Sequence, residues 1–458
     1  MAGIGFEIRK LLNQDRFLGV FRAYTYAGLI GSGPWILSFL GILLIHILGR
    51  KMGIPSLLIV RFQTSVTYVI AFSLITSGIL TLSFTRYASD RIFENKPEDL
   101  APNFLGALAL ITGASTLFGG LIVIQFFSGQ TLIYRIILLM SFILMNGVWL
   151  ATSLLSGLKN YLQLVWLLGI GYGIVVVFAL MLRAFGLEGL MAGFLLGHFI
   201  TFLGMLILIL KRYPVGLKPI SFDFLNKRKW YTSLALIGLL YNIAIWADKF
   251  IFWFSPTLGQ QVLGPLRSSL IYDIPIFLSY VTILPGMAVF LVRMETDFAE
   301  HYQRFYRSVR EGATLDQITE TKDDMVETIR RGILEIAKIQ ALGILITIAW
   351  GSTLLRWLDI SSLYIHLLYI DVVAAGLQVV FLGLCNVLFY LDKRQTALGL
   401  SIFLLITNIL FTSLSIKLGI GFYGYGFATA LLLSVLFGLF VLDRDLADLE
   451  FRTFMPKL

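Results

Sequence analysis

The sequence predicts an all-α polytopic membrane protein with twelve transmembrane helices arranged as two six-helix bundles. Three observations carry this expectation. The 458-residue chain is 58% hydrophobic and only 14% charged, with a mean hydropathy of +0.85, whereas roughly a quarter of the residues of a soluble domain are charged. Apolar blocks of about 20 residues, the length that crosses a bilayer as a helix, recur along it. Lys and Arg gather in alternate loops, the mark of a multi-pass topology.

Residues 1–20 place Ile4, Ile8, Leu11 and Leu12 on one helical face, while Glu7, Arg9, Lys10, Asp15 and Arg16 interrupt any apolar core. This predicts an interfacial amphipathic helix rather than a cleavable signal. Six apolar blocks follow, at roughly 21–48, 61–84, 102–127, 132–155, 162–182 and 187–210, and form the N-terminal bundle, 21–210. The segment 211–231 carries Lys211, Arg212, Lys218, Lys227, Arg228 and Lys229, with Pro214 and Pro219 blocking a continuous helix, and reads as a basic cytoplasmic linker. Six more blocks, at roughly 232–254, 266–292, 333–354, 363–390, 395–418 and 421–442, make the C-terminal bundle, 232–442. Residues 443–458, including Asp443 and Asp445, read as a solvated cytoplasmic tail.

Within the second bundle, residues 293–332 form a cytosolic helical insertion. Phe298, Tyr302, Phe305 and Tyr306 fall on one helical face, either as an extension at headgroup level or as a surface for docking a cytosolic partner. Thr314-Leu-Asp-Gln317 has the form of a capping box that opens a second helix. With the N-terminus placed in the cytoplasm, the basic clusters at Arg9–Arg22, Arg86–Lys96, the linker, Arg293–Lys338 and Lys393–Arg394 fall inside. Only scattered residues such as Arg50, Arg135 and Lys417 fall outside. Both termini are therefore expected in the cytoplasm.

Helix breakers interrupt two spans: Gly31, Gly33 and Pro34 in the first, Pro275 and Pro285 in the eighth. Freed backbone groups are tolerated in lipid only against protein or a wet cavity, so these breaks point to helices lining a path or packed closely. Charges within spans are costly and mark paths, gates or buried pairs. Asp248 and Lys249 in span seven, Asp273 in span eight and Asp371 in span ten are predicted about six to nine residues from the outer ends, or roughly 9 to 13 Å deep. Neighbours on a helix point about 100° apart, so Lys249 is expected to pair with Asp273 rather than with Asp248. Tyr241, Asn242, Asn146, Gln378 and Asn386 add neutral polar groups that bond across helices or face a wet lumen.

The sequence has no P-loop and no H-E-x-x-H. His46, His198, His301 and His366 are scattered, and Cys385 stands alone inside an apolar block. No catalytic residue, metal site or cofactor is expected, and a net charge of +9 spread over short loops gives no reason to expect nucleic acid.

Twelve spans as six plus six, a basic central linker and no ATPase resemble the multidrug/oligosaccharidyl-lipid/polysaccharide exporter superfamily, which implies a flippase-like fold. Trp246-Ala-Asp-Lys-Phe-Ile looks like a pattern of its polysaccharide branch. More specifically, Met1-Ala-Gly-Ile-Gly-Phe-Glu-Ile-Arg-Lys-Leu-Leu12 and Arg22-Ala-Tyr-Thr-Tyr-Ala-Gly-Leu-Ile-Gly-Ser-Gly-Pro-Trp35 are similar to the start of the PelG family. The resemblance implies transport of a hexosamine-rich exopolysaccharide across the bacterial inner membrane. It also implies a cytosolic glycosyltransferase and accessory inner-membrane proteins as partners. Two other readings are a cation-coupled small-molecule exporter and a lipid-linked oligosaccharide flippase.

Overall fold

The computed structural model describes residues 24, 27, 28, 37, 38, 40–157, 161–214, 218–226, 230–358 and 360–454. The interfacial helix expected over 1–20, the breakers Gly31, Gly33 and Pro34, and the linker's Lys227, Arg228 and Lys229 lie outside the described residues. Ten helical stretches among the described residues are long and apolar enough to cross a membrane. One of these, Gln163–Arg212, is a pair of helices joined by a short 3-10 turn at Leu182–Phe185. The first apolar block adds the described helix 40–51, which brings the membrane helices to the twelve predicted.

The described residues fall into two compact units, each built on its own core. The N-terminal unit spans Gly33–Ser269. It holds α1 (40–51), α2 (Ser56–Phe93), α3 (Leu100–Phe126), α4 (Leu132–Gly157), α5 (Tyr161–Met181), α6 (Gly186–Arg212) and α7 (Thr232–Trp253), then a hairpin of β1 (Gln260–Leu263) and β2 (Leu266–Ser268). The C-terminal unit is Leu270–Leu458 together with the residues before Gly33. The boundaries therefore differ from the division read in the sequence, because the seventh span joins the first unit. The reason is packing: α7 lies along α2 so closely that a Cβ at Gly238 would sit 2.1 Å from the Gly78 carbonyl oxygen, and one at Gly78 would sit 2.5 Å from that of Gly238. Small residues let membrane helices approach to this distance. Gly238→Ala is expected to force the two backbones apart at a cost of about 1–3 kcal/mol, seen as a lower unfolding temperature of the purified protein.

The linker is fastened to the N-terminal unit. Phe224 is buried among Phe84, Tyr87 and Phe104, edge-on to Phe84 at 5.5 Å. The backbone around it is matched by hydrogen bonds, Ser221 N–H donating to the Pro102 carbonyl (3.0 Å) and Phe224 N–H to Asn103 Oδ1 (3.2 Å). Tyr231 donates to Asp90 at 2.5 Å, and Asp90 also pairs with Arg86.

In the C-terminal unit, α8 (Leu270–Ser279) and α9 (Ile283–Val292) are separated by a 3-10 turn at Tyr280–Thr282, and a π-helical segment, Arg293–Phe298, continues α9 into α10 (Ala299–Glu311). Pro275 and Pro285 lie inside these helices, where each lacks the N–H that would bond the carbonyl four residues back. Next come α11 (Leu315–Trp357), α12 (Ile365–Tyr390), α13 (Arg394–Leu418), α14 (Tyr425–Ala447) and α15 (Leu449–Phe454). The capping box forms as predicted, Gln317 N–H on Thr314 Oγ1 and Thr314 N–H on Gln317 Oε1. At 1.5 Å per residue, α11 is roughly 65 Å long, twice a hydrocarbon core of about 30 Å. Its charged first half therefore extends beyond the membrane beside α10.

The C-terminal segment is tied to that projection rather than freely solvated. Lys322 pairs with Glu450 at 2.9 Å, Arg330 with Asp443 at 3.2 Å, and the buried Asp445 with Lys393 at 3.2 Å. The bond to Glu450 holds the Lys322 ammonium above the usual lysine range despite partial desolvation. That contribution is fully present below the unfolded lysine value and is lost as pH rises through the folded one.

Candidate functional site

Two groups of polar residues stand out, one in each unit. In the N-terminal unit the sequence-predicted Asp248 and Lys249 are 0% and 1% exposed. Lys249 Nζ lies 2.9 Å from Asp248 Oδ2 and donates to the Ile245 carbonyl at 2.9 Å. The structure brings the Lys249 ammonium to its own neighbour, Asp248, a partner that the sequence reading had set aside in favour of Asp273. Although the two Cα–Cβ bonds diverge, the four-carbon lysine stem folds back along the helix and brings the ammonium to the Asp248 carboxylate. A cluster of aromatic rings begins beside the pair. Lys249 Nζ is 6.0 Å from the Trp246 ring, and Tyr68 stacks on Trp253 at 4.7 Å. The hairpin is fastened to the same cluster: Tyr68 exchanges hydrogen bonds with the Arg267 backbone, while the Arg267 guanidinium donates to the carbonyls of Trp253 and Gly259. Residues 266–268, assigned from sequence to the eighth span, are thus a strand. Asp273 accordingly lies only three residues into α8, at half-buried depth, shallower than predicted.

The same unit carries a ladder between α2 and α4 that the sequence reading missed except for Asn146. Ser65 bonds Tyr134 (2.8 Å), Trp149 Nε1 donates to Ser73 (2.9 Å), Thr76 donates to Asn146 Oδ1 (2.6 Å) and Thr85 bonds Ser153 (2.7 Å). Hydroxyls recurring through the block 61–84 at near-helical spacing were the available signal. Asn242 donates to the Gly238 carbonyl at 2.7 Å, beside the close α2–α7 crossing, and Tyr241 is half-buried one residue before it.

In the C-terminal unit, Asp371, Gln378, Asn386 and Tyr390 follow one another down one broad side of α12, over roughly 29 Å at 1.5 Å per residue, about the depth of a hydrocarbon core. Asp371 is 0% exposed. The turn at Gly424 (φ +84) folds against it, so that a Cβ there would lie 3.1 Å from Asp371 Oδ1. The lower members meet the broken helix: Tyr280 donates to Gln378 Oε1 (3.1 Å), Asn386 to Glu295 Oε1 (3.3 Å) and Tyr390 to Glu295 Oε2 (2.9 Å). Gln340 of α11 reaches the break too, donating to the Ile283 carbonyl at 3.4 Å. The absence of a side chain at Gly286 makes room for it, since a Cβ there would lie 1.8 Å from Gln340 Nε2. Next to Glu295, Arg293 forms a fork on Glu335 (2.5 and 3.1 Å) and reaches Asp297 at 2.6 Å.

Glu295, Arg293, Glu335 and Gln340 were not singled out in the sequence. Gln340, a lone amide in the apolar block 333–354, was findable. Arg293 and Glu295 were assigned to the cytosolic insertion and Glu335 to the start of the block 333–354, and the π-helical turn that aims Glu295 at α12 leaves no periodic signal. The aromatic face expected to dock a partner is corrected. Phe298 and Phe305 are fully buried, and Phe298 and Tyr302 pack edge-on against Tyr390 at 5.1 and 5.5 Å. With Tyr302 and Tyr306 half-buried beside them, this face holds α10 to its own unit.

No cluster of three or more His, Cys, Asp or Glu able to hold a metal occurs among the described residues. The profile of the PelG family, described as an exopolysaccharide exporter (EPS-E), matches residues 1–454. The chain belongs to the PelG family. A search of the curated proteins finds no match. Among solved structures, this PelG-family chain is similar to a multidrug resistance MATE family transporter of the MOP superfamily in an outward-facing conformation, at 12% identity over 99% of each chain and a TM-score of 0.69. It is also similar to a MATE transporter of Vibrio cholerae (13% identity, 97% of this chain and 98% of that one, TM-score 0.65) and to a MOP superfamily transporter of Pyrococcus furiosus (14%, 98% and 99%, 0.63). At such identities the likeness establishes the fold, that of a multi-pass membrane transporter.

Proposed function

We propose that this PelG-family transporter moves a hexosamine-rich, Pel-type polysaccharide across the bacterial inner membrane. It works with a cytosolic glycosyltransferase and accessory inner-membrane proteins, and both its termini face the cytoplasm. The observation that carries the reading is the polar side of α12, where amide, phenol and carboxylate groups follow one another through the depth of a bilayer. Groups that donate and accept hydrogen bonds at intervals suit a hydroxyl- and amide-rich chain, which must exchange partners as it advances rather than bind once. The basic clusters, concentrated at one end of the spans, support the orientation.

The test is Gln378→Leu and Glu295→Gln, made separately in a strain that depends on this chain for polymer export. Secreted polymer is expected to fall about tenfold, equivalent to 1.4 kcal/mol, with the protein still present at normal levels in the membrane. Unchanged secretion from both variants removes this face of α12 from the mechanism. A second reading, a cation-coupled exporter of small molecules, draws on the fully buried Asp371, since intramembrane acids serve cation coupling. Drug-resistance assays in a pump-deficient host, with Asp371→Asn as the control, separate the two. A lipid-linked oligosaccharide as cargo would instead show as export that fails when the lipid carrier is depleted.

A further inference from the structure

Gln340 of α11 is 3% exposed, and its side chain lies in a slot left by two glycines. On one side is Gly286 of α9, where a Cβ would lie 1.8 Å from Nε2 and 2.6 Å from Cδ. On the other is Gly376 of α12, where a Cβ would lie 3.4 Å from Gln340 Cβ and 3.6 Å from Oε1. Nε2 donates to the Ile283 carbonyl at 3.4 Å, while Oε1 is buried and meets no donor among the described residues. We propose, on the reading of α12 as a polar path, that Gln340 is a positioning residue for export. Its amide pins the break between α8 and α9 so that Tyr280 is held on Gln378.

Stability gives no reason for an amide at this place. One long hydrogen bond contributes little, and leaving a buried carbonyl oxygen without a donor costs more than such a bond contributes. An apolar side chain of the same length would fold as well. The place of the donor does give a reason. Ile283 opens α9 directly after the 3-10 turn Tyr280–Thr282, and two residues further on Pro285 offers no N–H to the Val281 carbonyl. Backbone bonds alone therefore hold the break loosely. Gln340 ties it to α11 at Ile283, and Tyr280, three residues earlier, donates to Gln378 Oε1 of α12 at 3.1 Å. A shift of the break moves that phenol along α12. Gly376 and Gln378 are two residues apart, about 200° around the helix. The Gln340 amide therefore meets a different face of α12 from the polar one, and it acts on the path through the break.

Gln340→Met keeps the length and removes the amide. Secreted polymer is expected to fall about fivefold, with the unfolding temperature of the purified protein unchanged or higher. Amide hydrogen exchange should quicken at residues 280–284 and not elsewhere. Gly286→Ala should reproduce the loss of secretion without altering residue 340, since the atoms nearest the new Cβ, Nε2, Cδ and Cγ, all belong to the flexible Gln340 side chain. Gly376→Ala, whose Cβ would make ordinary contact, should secrete as wild type does. Wild-type secretion by Gln340→Met, unchanged exchange at 280–284, or a loss of secretion that comes with a lower unfolding temperature overturns the proposal. Gln378→Leu, assayed beside them, separates this failure from failure of the path. If Gln378→Leu lowers secretion and Gln340→Met does not, the positioning role alone is wrong; if neither does, the path falls with it.

Discussion

Lys249→Met is expected to lower the stability of the purified protein by about 3–5 kcal/mol, because it takes the cation 2.9 Å away from a fully buried carboxylate, Asp248. Both side chains are buried, the ammonium lies 6.0 Å from the Trp246 ring, and the lysine donates to two acceptors, the Asp248 carboxylate and the Ile245 carbonyl. Asp248→Asn alone removes the carboxylate 2.9 Å from the ammonium and should also be destabilising. In the double variant Asp248→Asn/Lys249→Met both charges of the pair are removed together, so its loss should be smaller than the sum of the single losses. Chemical unfolding in detergent of the four proteins gives the coupling directly. Additive losses, or single variants within about 0.5 kcal/mol of wild type, would show that the two charges do not depend on each other. Because the pair lies close to the end of α7, its loss should also loosen the hairpin Gln260–Ser268, seen as faster amide exchange there.

Phe224→Ala has the second large expected effect, about 3–5 kcal/mol. The ring fills the end of the N-terminal unit's core and is the only buried side chain of the short turn Asp223–Leu225. Removing it leaves a cavity beside Phe84, Tyr87 and Phe104 and loosens the linker at its fully buried ring, beside the partly buried Tyr213 and Trp230. Trypsin cleavage after Arg212, the exposed last residue of α6, should then quicken while cleavage elsewhere is unchanged. Ile220, 51% exposed two residues past Lys218, is the control: Ile220→Ala should stay within about 0.5 kcal/mol. If Phe224→Ala cleaves no faster than Ile220→Ala, the linker is held by its hydrogen bonds to Pro102 and Asn103 and not by the ring.

The membrane spans and the capping box at Thr314 were legible in the sequence because each depends on neighbours along the chain. Hydropathy sums over about 20 residues, and a cap needs one hydroxyl and one amide three residues apart. The individual acids were legible too, since a charge in an apolar block is conspicuous wherever it points. Their partners were not. The bond between Lys249 and Asp248 was not expected from Cα–Cβ directions, but a long flexible stem can reach a place its own backbone faces away from. Phe298 and Phe305 read as a surface because an amphipathic face has the same spelling whether it meets a partner or its own Tyr390.

The sequence by itself determined that this chain lies in a bilayer, how many times it crosses and which loops are basic, because those properties follow from local hydropathy and charge. The tertiary structure alone decided the rest. It joined α7 to the first unit through two glycines 160 residues apart, turned Leu266–Ser268 into a strand, and brought Glu295 to Asn386 and Tyr390 through a π-helical turn. These arrangements depend on which surfaces come within contact distance, and contact distance is a property of the packed chain that no window of sequence contains.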